Sequence, residues 1–168
     1  MFEKDEYIVY GVTGVCKVKD ISSLEMNEIS KDRLYYILQP VHAKEEKIFT
    51  PVDNTKITMR RVLSKSEAFT LLNQIPEIEE LWVDNEKLRE ERYKAAIKSC
   101  DCREWIKVIK TLYMRKQHRI QQGKKLTSVD ERYFHKAKEN LYSELAVALD
   151  LEENEVEGYI VNRLDGEA

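Results

Sequence analysis

The hydrophobic pattern of this chain changes its period near residues 61–64. Before that point, short runs of β-branched and aromatic residues partly alternate with polar residues, which is typical of strands. From Leu63 onward, apolar residues recur at helical spacing. The change predicts an α+β fold with two domains, a β module over residues 1–62 and an all-helical module over residues 63–168.

Five short strands are predicted in the first module. Gly11 and Gly14 lie between the first two, and glycine takes positive φ at no steric cost, so a β-hairpin is expected there. Pro51 has no N–H for a sheet ladder and belongs at a strand end or an edge. Such short strands indicate a small, strongly bent antiparallel barrel whose closure hides its edges. The strand sequences are YIVY (7–10), GVCKVKDI (14–21), RLYYILQP (33–40), KIFTPV (47–52) and TKITMRR (55–61).

The second module contains recognisable helix starts and stops. Ser64 and Glu67 form a capping box ahead of a first helix that ends near Pro76. Ser128 and Glu131 form a second capping box. The remaining predicted helices cover residues 86–98 (capped by Asp84 or Asn85), 101–122 (closed by Gly123), 128–149 and 153–164.

Composition excludes several classes of protein. The chain has 168 residues, 42% of them apolar, which suffices for an ordinary folded core. No apolar run approaches the ~20 residues that span a bilayer, and no secretory signal is recognisable. Cys16, Cys100 and Cys102 are an odd number, which argues against a secreted disulfide framework. We expect a cytoplasmic protein with no membrane partner and no cofactor.

The motifs of common enzyme classes are missing from the sequence. It contains no G-x-x-x-x-G-K-[ST], no G-x-G-x-x-G and no H-E-x-x-H. Structural zinc needs four ligands, commonly as two spaced pairs, whereas Cys100 and Cys102 are a single pair and the histidines are scattered. We expect neither an enzyme nor a metal site.

Charge is segregated along the chain. The formal net charge is −3, yet residues 87–138 hold 16 Lys and Arg against 6 Asp and Glu, a net of +10. The remainder carries 12 basic and 25 acidic residues, a net of −13. A basic block inside an acidic protein is a candidate phosphate-binding surface. The alternative is that these cations form solvated helix faces, partly offset by the acidic residues after 138.

The two tryptophans have different settings. Trp105 lies on an apolar stripe with Ile109, Leu112 and Ile120, which predicts a core position. Trp82 lies in a polar stretch just before a predicted helix and the basic block. It either packs this junction onto the helices or forms an exposed wedge that stacks on or between bases.

Four stretches carry a resemblance when they are taken in order. They are DEYIVYGVTGVCKV, FTPVDN, SCDCREWIKVIKTLY and AKENLYSELAVALDLEENEVE, which are distributed over nearly the whole chain. The sequence resembles the CarD/CdnL family of bacterial transcription regulators. The resemblance implies a Tudor-like barrel that docks on the β subunit of RNA polymerase. It also implies a helical module that contacts promoter DNA at the upstream edge of the bubble, without base-specific readout, and slows bubble collapse.

The resemblance also implies candidate site residues and a non-enzymatic protein, and we expect a monomer. Trp82 is the candidate wedge, and Phe49 stands where some family members have an arginine, so an apolar polymerase contact is expected. Docking by an edge strand, RLYYILQP or KIFTPV, is one hypothesis. An adaptor that binds polymerase or another protein without touching DNA is the alternative. The candidate DNA-binding residues are Trp82, Lys87, Arg89, Arg92, Tyr93, Lys94, Arg115, Lys116, Arg119, Lys124 and Lys125; the candidate polymerase-binding residues are Arg33, Tyr35, Ile37, Ile48, Phe49 and Pro51.

Overall fold

The computed structural model describes residues 1–23, 33–81, 83 and 85–165. The chain divides into two compact units, Met1–Val62 and Leu63–Ala168, named here the sheet unit and the helical unit. The α+β fold is therefore confirmed. The sheet unit contains β1 (Tyr7–Tyr10), β2 (Gly14–Ser23), β3 (Leu34–Pro40), β4 (Ile48–Pro51) and β5 (Met59–Arg61). The helical unit contains α1 (Lys65–Gln74), α2 (Glu86–Lys98), α3 (Cys102–Gln121), α4 (Ser128–Leu149) and α5 (Glu153–Asp165).

The five strands form one antiparallel sheet in the order β4-β3-β2-β1-β5. The predicted hairpin of β1 and β2 is confirmed, with one 3-10 turn, Gly11–Thr13, between the strands. Gly11 and Gly14 have φ values of 47° and 89°, which favour glycine. The Gly11 N–H also donates to the Thr58 carbonyl at 2.8 Å, so the turn aligns β5 beside β1.

The prediction of a closed barrel is wrong for the residues that the structure describes. β4 and β5 lie at opposite edges of the sheet and no ladder joins them. These edge strands have only 4 and 3 residues, and β4 ends at Pro51, which has no N–H for a further strand. The prediction of β3 as a possible edge strand is also wrong, because β3 pairs with β2 on one side and β4 on the other.

The larger apolar cluster of the sheet unit lies on one face of the sheet. Ile8, Cys16, Val18, Tyr36 and Leu38 are buried there. The buried pair of Val9 and Val15 lies on the other face. Alternation along β3 sends Tyr35 and Ile37, which are half-buried, to the opposite face. The sheet therefore has an inner apolar face and an outer face that carries some of the predicted site residues.

The caps of the helical unit follow most of the sequence signals. The capping box of Ser64 and Glu67 is present at α1, and Asn85 and Asp101 cap α2 and α3 with their side chains. The predicted box of Ser128 and Glu131 is wrong by one residue. Thr127 caps α4, because its hydroxyl accepts from the Asp130 N–H and Ser128 is already the first helical residue.

The core of the helical unit is centred on α3 and α4. Trp105 is fully buried, as its stripe predicts, together with Leu112. Ile120 does not continue that stripe and is 52% exposed. In the part of the chain that the structure describes, no helix combines the length and apolar character that a membrane span requires.

Candidate nucleic-acid interface and outer sheet face

A buried carboxylate joins three helices of the helical unit. Asp130, near the start of α4, is only 2% exposed. Arg115 of α3 donates from Nε to its Oδ2 at 2.7 Å, and Arg89 of α2 donates from Nη2 to its Oδ1 at 3.3 Å. Two guanidinium groups therefore compensate one desolvated charge. Arg89 and Arg115, two of the candidate DNA-binding residues, are ligands of this internal anion.

Tyr93 of α2 lies beneath the same cluster. The residue is 1% exposed, and its ring lies 5.6 Å from that of Tyr133 on α4. Burial raises the pKa of the Tyr93 phenol, while the nearby Arg89 guanidinium partly opposes that shift. The ring packs α2 onto α4, so a base has no stacking surface on Tyr93 in this conformation.

The remaining candidate cations of α2 point to solvent. Lys87, Arg92 and Lys94 are exposed. Lys94 lies 3.7 Å from Glu90 in an i,i+4 ion pair. Among the described residues, no ion pair engages Lys87 or Arg92. These two side chains are available to phosphate groups.

The end of α3 supplies a second group of cations. Lys124 and Lys125 follow the helix in an exposed turn that Gly123 opens with a φ of 72°. Arg119 donates from Nε to the Lys125 carbonyl at 2.6 Å, which holds this turn against the helix. Lys116 is half-buried, with its ammonium 6.0 Å from the centre of the Phe134 ring. The turn thus places several positive charges near the carboxyl end of α3, where the helix dipole also favours them.

Trp82 and Asp84 lie outside the described residues. The chain just before Trp82 is anchored, because the Leu81 N–H donates to Thr111 Oγ1 on α3 at 2.8 Å. The chain after it enters α2 at Glu86. The wedge role of Trp82 stays a prediction.

Four of the candidate polymerase-binding residues meet on the outer face of the sheet. The register pairs Ile37 with Phe49 and Tyr35 with Pro51, so all four side chains leave the same face of the β3–β4 ladder. Phe49 is 48% exposed. An apolar patch therefore lies on this face at the β4 edge.

The other two candidates have different places. Ile48 alternates to the inner face and packs against the core. Arg33, just before β3, lies 3.4 Å from Asp53 in an exposed ion pair. Its guanidinium is 6.0 Å from the centre of the Tyr35 ring, so Arg33 borders the patch.

Sequence reasoning missed two features of the helical unit. Asp130 was hidden because it is one of six acidic residues in the basic block, and nothing in its local sequence separates it from the others. An exposed leucine, Leu88 at 49% exposure, lies between Lys87 and Arg92 on α2. The spacing was the available signal, because Leu88 precedes Tyr93 by five residues and therefore lies off the helix face of the buried Tyr93, Ala96 and Ile97.

Two family models match the chain over almost its whole length. The CarD-like/TRCF RID domain matches residues 2–63, and the CarD C-terminal domain matches residues 67–161. No curated protein matches the sequence. Within the described residues, no group of three or more His, Cys, Asp or Glu side chains could hold a metal ion.

Proposed function

Because the chain belongs to the CarD family, whose members are transcription-associated proteins that interact with RNA polymerase, we propose that it bridges RNA polymerase and promoter DNA. The sheet unit docks on the polymerase β subunit. The helical unit contacts DNA at the upstream edge of the bubble and stabilises the open complex without reading bases. The protein then acts as a monomer in the cytoplasm by binding the open state better than the closed one.

The outer face of the sheet supports the docking half of this proposal. The Val52 N–H donates to the Leu34 carbonyl, so Leu34 and Val52 form a hydrogen-bonded pair. Along the antiparallel β3–β4 ladder, hydrogen-bonded pairs then alternate with non-hydrogen-bonded pairs. Ile37 with Phe49 and Tyr35 with Pro51 are therefore non-hydrogen-bonded pairs. The backbone polar groups of Phe49 and Pro51 point away from β3, toward the open edge of the sheet. Pro51 has no N–H, and its carbonyl accepts from Asn54. Phe49 thus offers the edge both a donor and a carbonyl, beside its own exposed ring.

This arrangement predicts a particular sensitivity of polymerase binding. Phe49→Pro removes the ring and the edge N–H together, and Phe49→Ala removes the ring alone. We expect both variants to weaken binding to the β subunit, Phe49→Pro more strongly. Val12→Ala is the matched control, because Val12 is an equally exposed apolar residue of the sheet unit at 51%, away from β4. Equal affinity of all four proteins would exclude the β4 edge.

Charge segregation is the observation that carries the DNA half of the proposal. The net +10 of residues 87–138 contrasts with the net −13 of the remainder. Within that block the cations that bind Asp130 are separate from those that reach solvent. Arg89, Arg115 and Tyr93 hold the helices together, and Lys87, Arg92, Lys94, Lys116, Arg119, Lys124 and Lys125 are the proposed phosphate contacts.

The test is the lifetime of polymerase–promoter open complexes in the presence of a competitor. We expect the protein to lengthen this lifetime, and we expect Trp82→Ala to abolish the effect if Trp82 is the wedge. The double variant Lys87→Gln with Arg92→Gln should shorten the open-complex lifetime relative to the wild type. It should also reduce the slope of DNA affinity against salt concentration, on logarithmic axes, by about one per lost phosphate contact. Lys19→Gln with Lys56→Gln, two exposed lysines of the sheet unit, is the charge-matched control.

The commitment of Arg89 and Arg115 to Asp130 favours a second candidate function. With fewer free cations, the protein could be an adaptor that binds polymerase and leaves DNA untouched. A lifetime unchanged by the protein, with polymerase binding intact and little salt dependence, would select the adaptor.

A further inference from the structure

The carboxyl-terminal half of α3 has an uncovered apolar face. Tyr113 and Met114 are each 54% exposed and Ile120 is 52% exposed. The spacing of 113, 117 and 120 is i, i+4, i+7, so these positions share one side of the helix, with Gln117 and Gln121 beside them. Tyr113 and Ile120 share this side and Met114 borders it, so exposed large apolar side chains are concentrated on one part of the helix surface.

The same face is covered in the amino-terminal half of the helix. Ile106 is seven residues before Tyr113, lies on the same side and is only 3% exposed. The segment after α1 runs along this part, where Lys110 Nζ donates to the carbonyls of Ile75 and Ile78. Among the described residues, this cover reaches Leu81, whose N–H donates to Thr111 Oγ1. The described chain thus covers the first half of one continuous helix face with protein and leaves the second half open.

The composition of the open half is that of a protein interface. Its centre carries Tyr, Met, Ile and Gln and no charged side chain, and its borders carry His118, Lys116 and Arg119. Aromatic residues and Met are enriched, and charges depleted, in interface cores with polar rims. Methionine also adapts its shape to a partner surface. A single tyrosine on a convex helix is a poor platform for successive bases, which favours a protein occupant over a nucleic-acid strand.

Charge specifies the occupant further. Residues 105–129 contain seven Lys and Arg and no Asp or Glu. A partner that covers the apolar face therefore brings one flank within reach of Lys116, and the exposed Lys124 and Lys125 follow the end of the helix. Acidic flanks complement these cations. We propose that the Tyr113–Ile120 face of α3 is a docking surface for an acidic amphipathic helix of a partner protein. The apolar face itself goes beyond the proposed contacts with the polymerase β subunit and DNA, and it shares the bordering cations Lys116, Lys124 and Lys125 with the proposed DNA contacts.

The experiment uses the full chain and a defined probe. The probe is a fluorescein-labelled synthetic peptide of about three heptads, with leucine at a and d and glutamate and alanine elsewhere. Comparison peptides have the same composition in scrambled order, or lysine in place of glutamate. The variants are Tyr113→Ser with Ile120→Gln, both exposed positions, and Val161→Gln, an equally exposed apolar residue on α5 at 50%. Circular dichroism checks that each variant is folded.

We expect the acidic amphipathic peptide to bind, with an affinity that falls as the salt concentration rises. The scrambled peptide and the lysine peptide should not bind. The double variant should bind about tenfold more weakly or worse, since it removes the aromatic anchor, and Val161→Gln should bind like the wild type. Equal binding of the scrambled peptide, no binding, or an equal loss in Val161→Gln would overturn the proposal. So would a labelled oligo(dT) strand that displaces the peptide and depends on Tyr113, because the face would then serve single-stranded nucleic acid. The assay contains neither polymerase nor promoter DNA, so its outcome is separate from the test of the proposed function.

Discussion

The sheet unit and the helical unit place their charges in opposite ways. In the sheet unit, the described ion pairs, such as Arg61 with Glu6 and Arg33 with Asp53, have at least one well-exposed partner. In the helical unit, Asp130 and Glu144 are 2% and 0% exposed. Glu144 accepts from the Leu63 N–H at 2.9 Å and from the Cys102 thiol at 3.1 Å.

The difference follows from how each kind of element is joined. Strands are joined by backbone hydrogen bonds, so a sheet needs only apolar side chains to complete its core. Helices satisfy their backbones internally and must be joined through side chains. In this helical unit, buried ion pairs contribute to the packing of helix on helix. Removal of a buried charge should therefore lower the free energy of unfolding more than any surface substitution in the sheet unit.

The largest expected effect is that of Asp130→Ala. It leaves Arg89 and Arg115 without their shared anion, at side-chain exposures of 17% and 25%. We expect a loss of about 3 kcal/mol, at the low end for a broken buried pair because both guanidinium groups reach some water. Both tryptophans belong to residues 63–168, so urea unfolding followed by their fluorescence measures this unit alone.

The matched change in the sheet unit is Asp53→Ala. It breaks the Arg33–Asp53 pair, whose partners are 44% and 70% exposed, so the unfolding midpoint of that unit should barely move. Amide exchange of β2 residues measures the sheet unit. A comparable loss in both variants would contradict the contrast between the two units.

A pair of glycine substitutions should change the two units in opposite directions. Gly14 has a φ of 89° and a ψ of −145°, a region that side chains avoid, so Gly14→Ala should destabilise the sheet unit by roughly 1–3 kcal/mol. Gly158 lies within α5 with open space around its added Cβ, so Gly158→Ala should stabilise the helical unit by about 0.5–1 kcal/mol. Unfolding of each variant checks the sign, and a stabilising Gly14→Ala would mean that the hairpin turn differs from the one described.

A smaller effect identifies the residue that caps α4. Thr127→Ala removes the hydroxyl that accepts from the Asp130 N–H and should cost about 1 kcal/mol. Ser128→Ala should be close to neutral, because Ser128 is inside the helix. The two urea midpoints decide between them, and the reverse order would restore the capping box that the sequence predicts.

The smallest effect is confined to alkaline pH. Burial, helped by Glu157, raises the pKa of Tyr142 from 10.0 to about 12. As the pH rises, the Tyr142 phenol loses its proton in the unfolded chain before it does so in the folded protein. The contribution of Tyr142 to the free energy of unfolding is therefore full below pH 10 and disappears as the pH rises through about 12. Tyr142→Phe should flatten the decline of stability over that window. An unchanged slope would show that other groups cause the decline.

Local signals predicted much of the fold and some of the candidate site. The hairpin at Gly11, the capping box at Ser64 and the core position of Trp105 each depend on a few neighbouring residues, so the sequence was sufficient for them. The outer-face pairing of Ile37 with Phe49 was not predictable, because register joins residues that are far apart in the chain. The separation of Arg89 from Arg92 was equally hidden, since both are arginines of one basic helix and only α4 distinguishes them.

Period, caps and composition act within a few residues, so the amino-acid sequence predicts the two kinds of module, the position of most helix ends and the segregation of charge. The tertiary structure alone decided that the sheet stays open in the described residues, that Tyr93 packs inside, and that two of the cations serve Asp130. It also decided that Ile120 faces outward while Ile106, on the same side of α3, is covered. Burial is a property of what neighbouring elements happen to cover, and helical spacing states only which residues share a side.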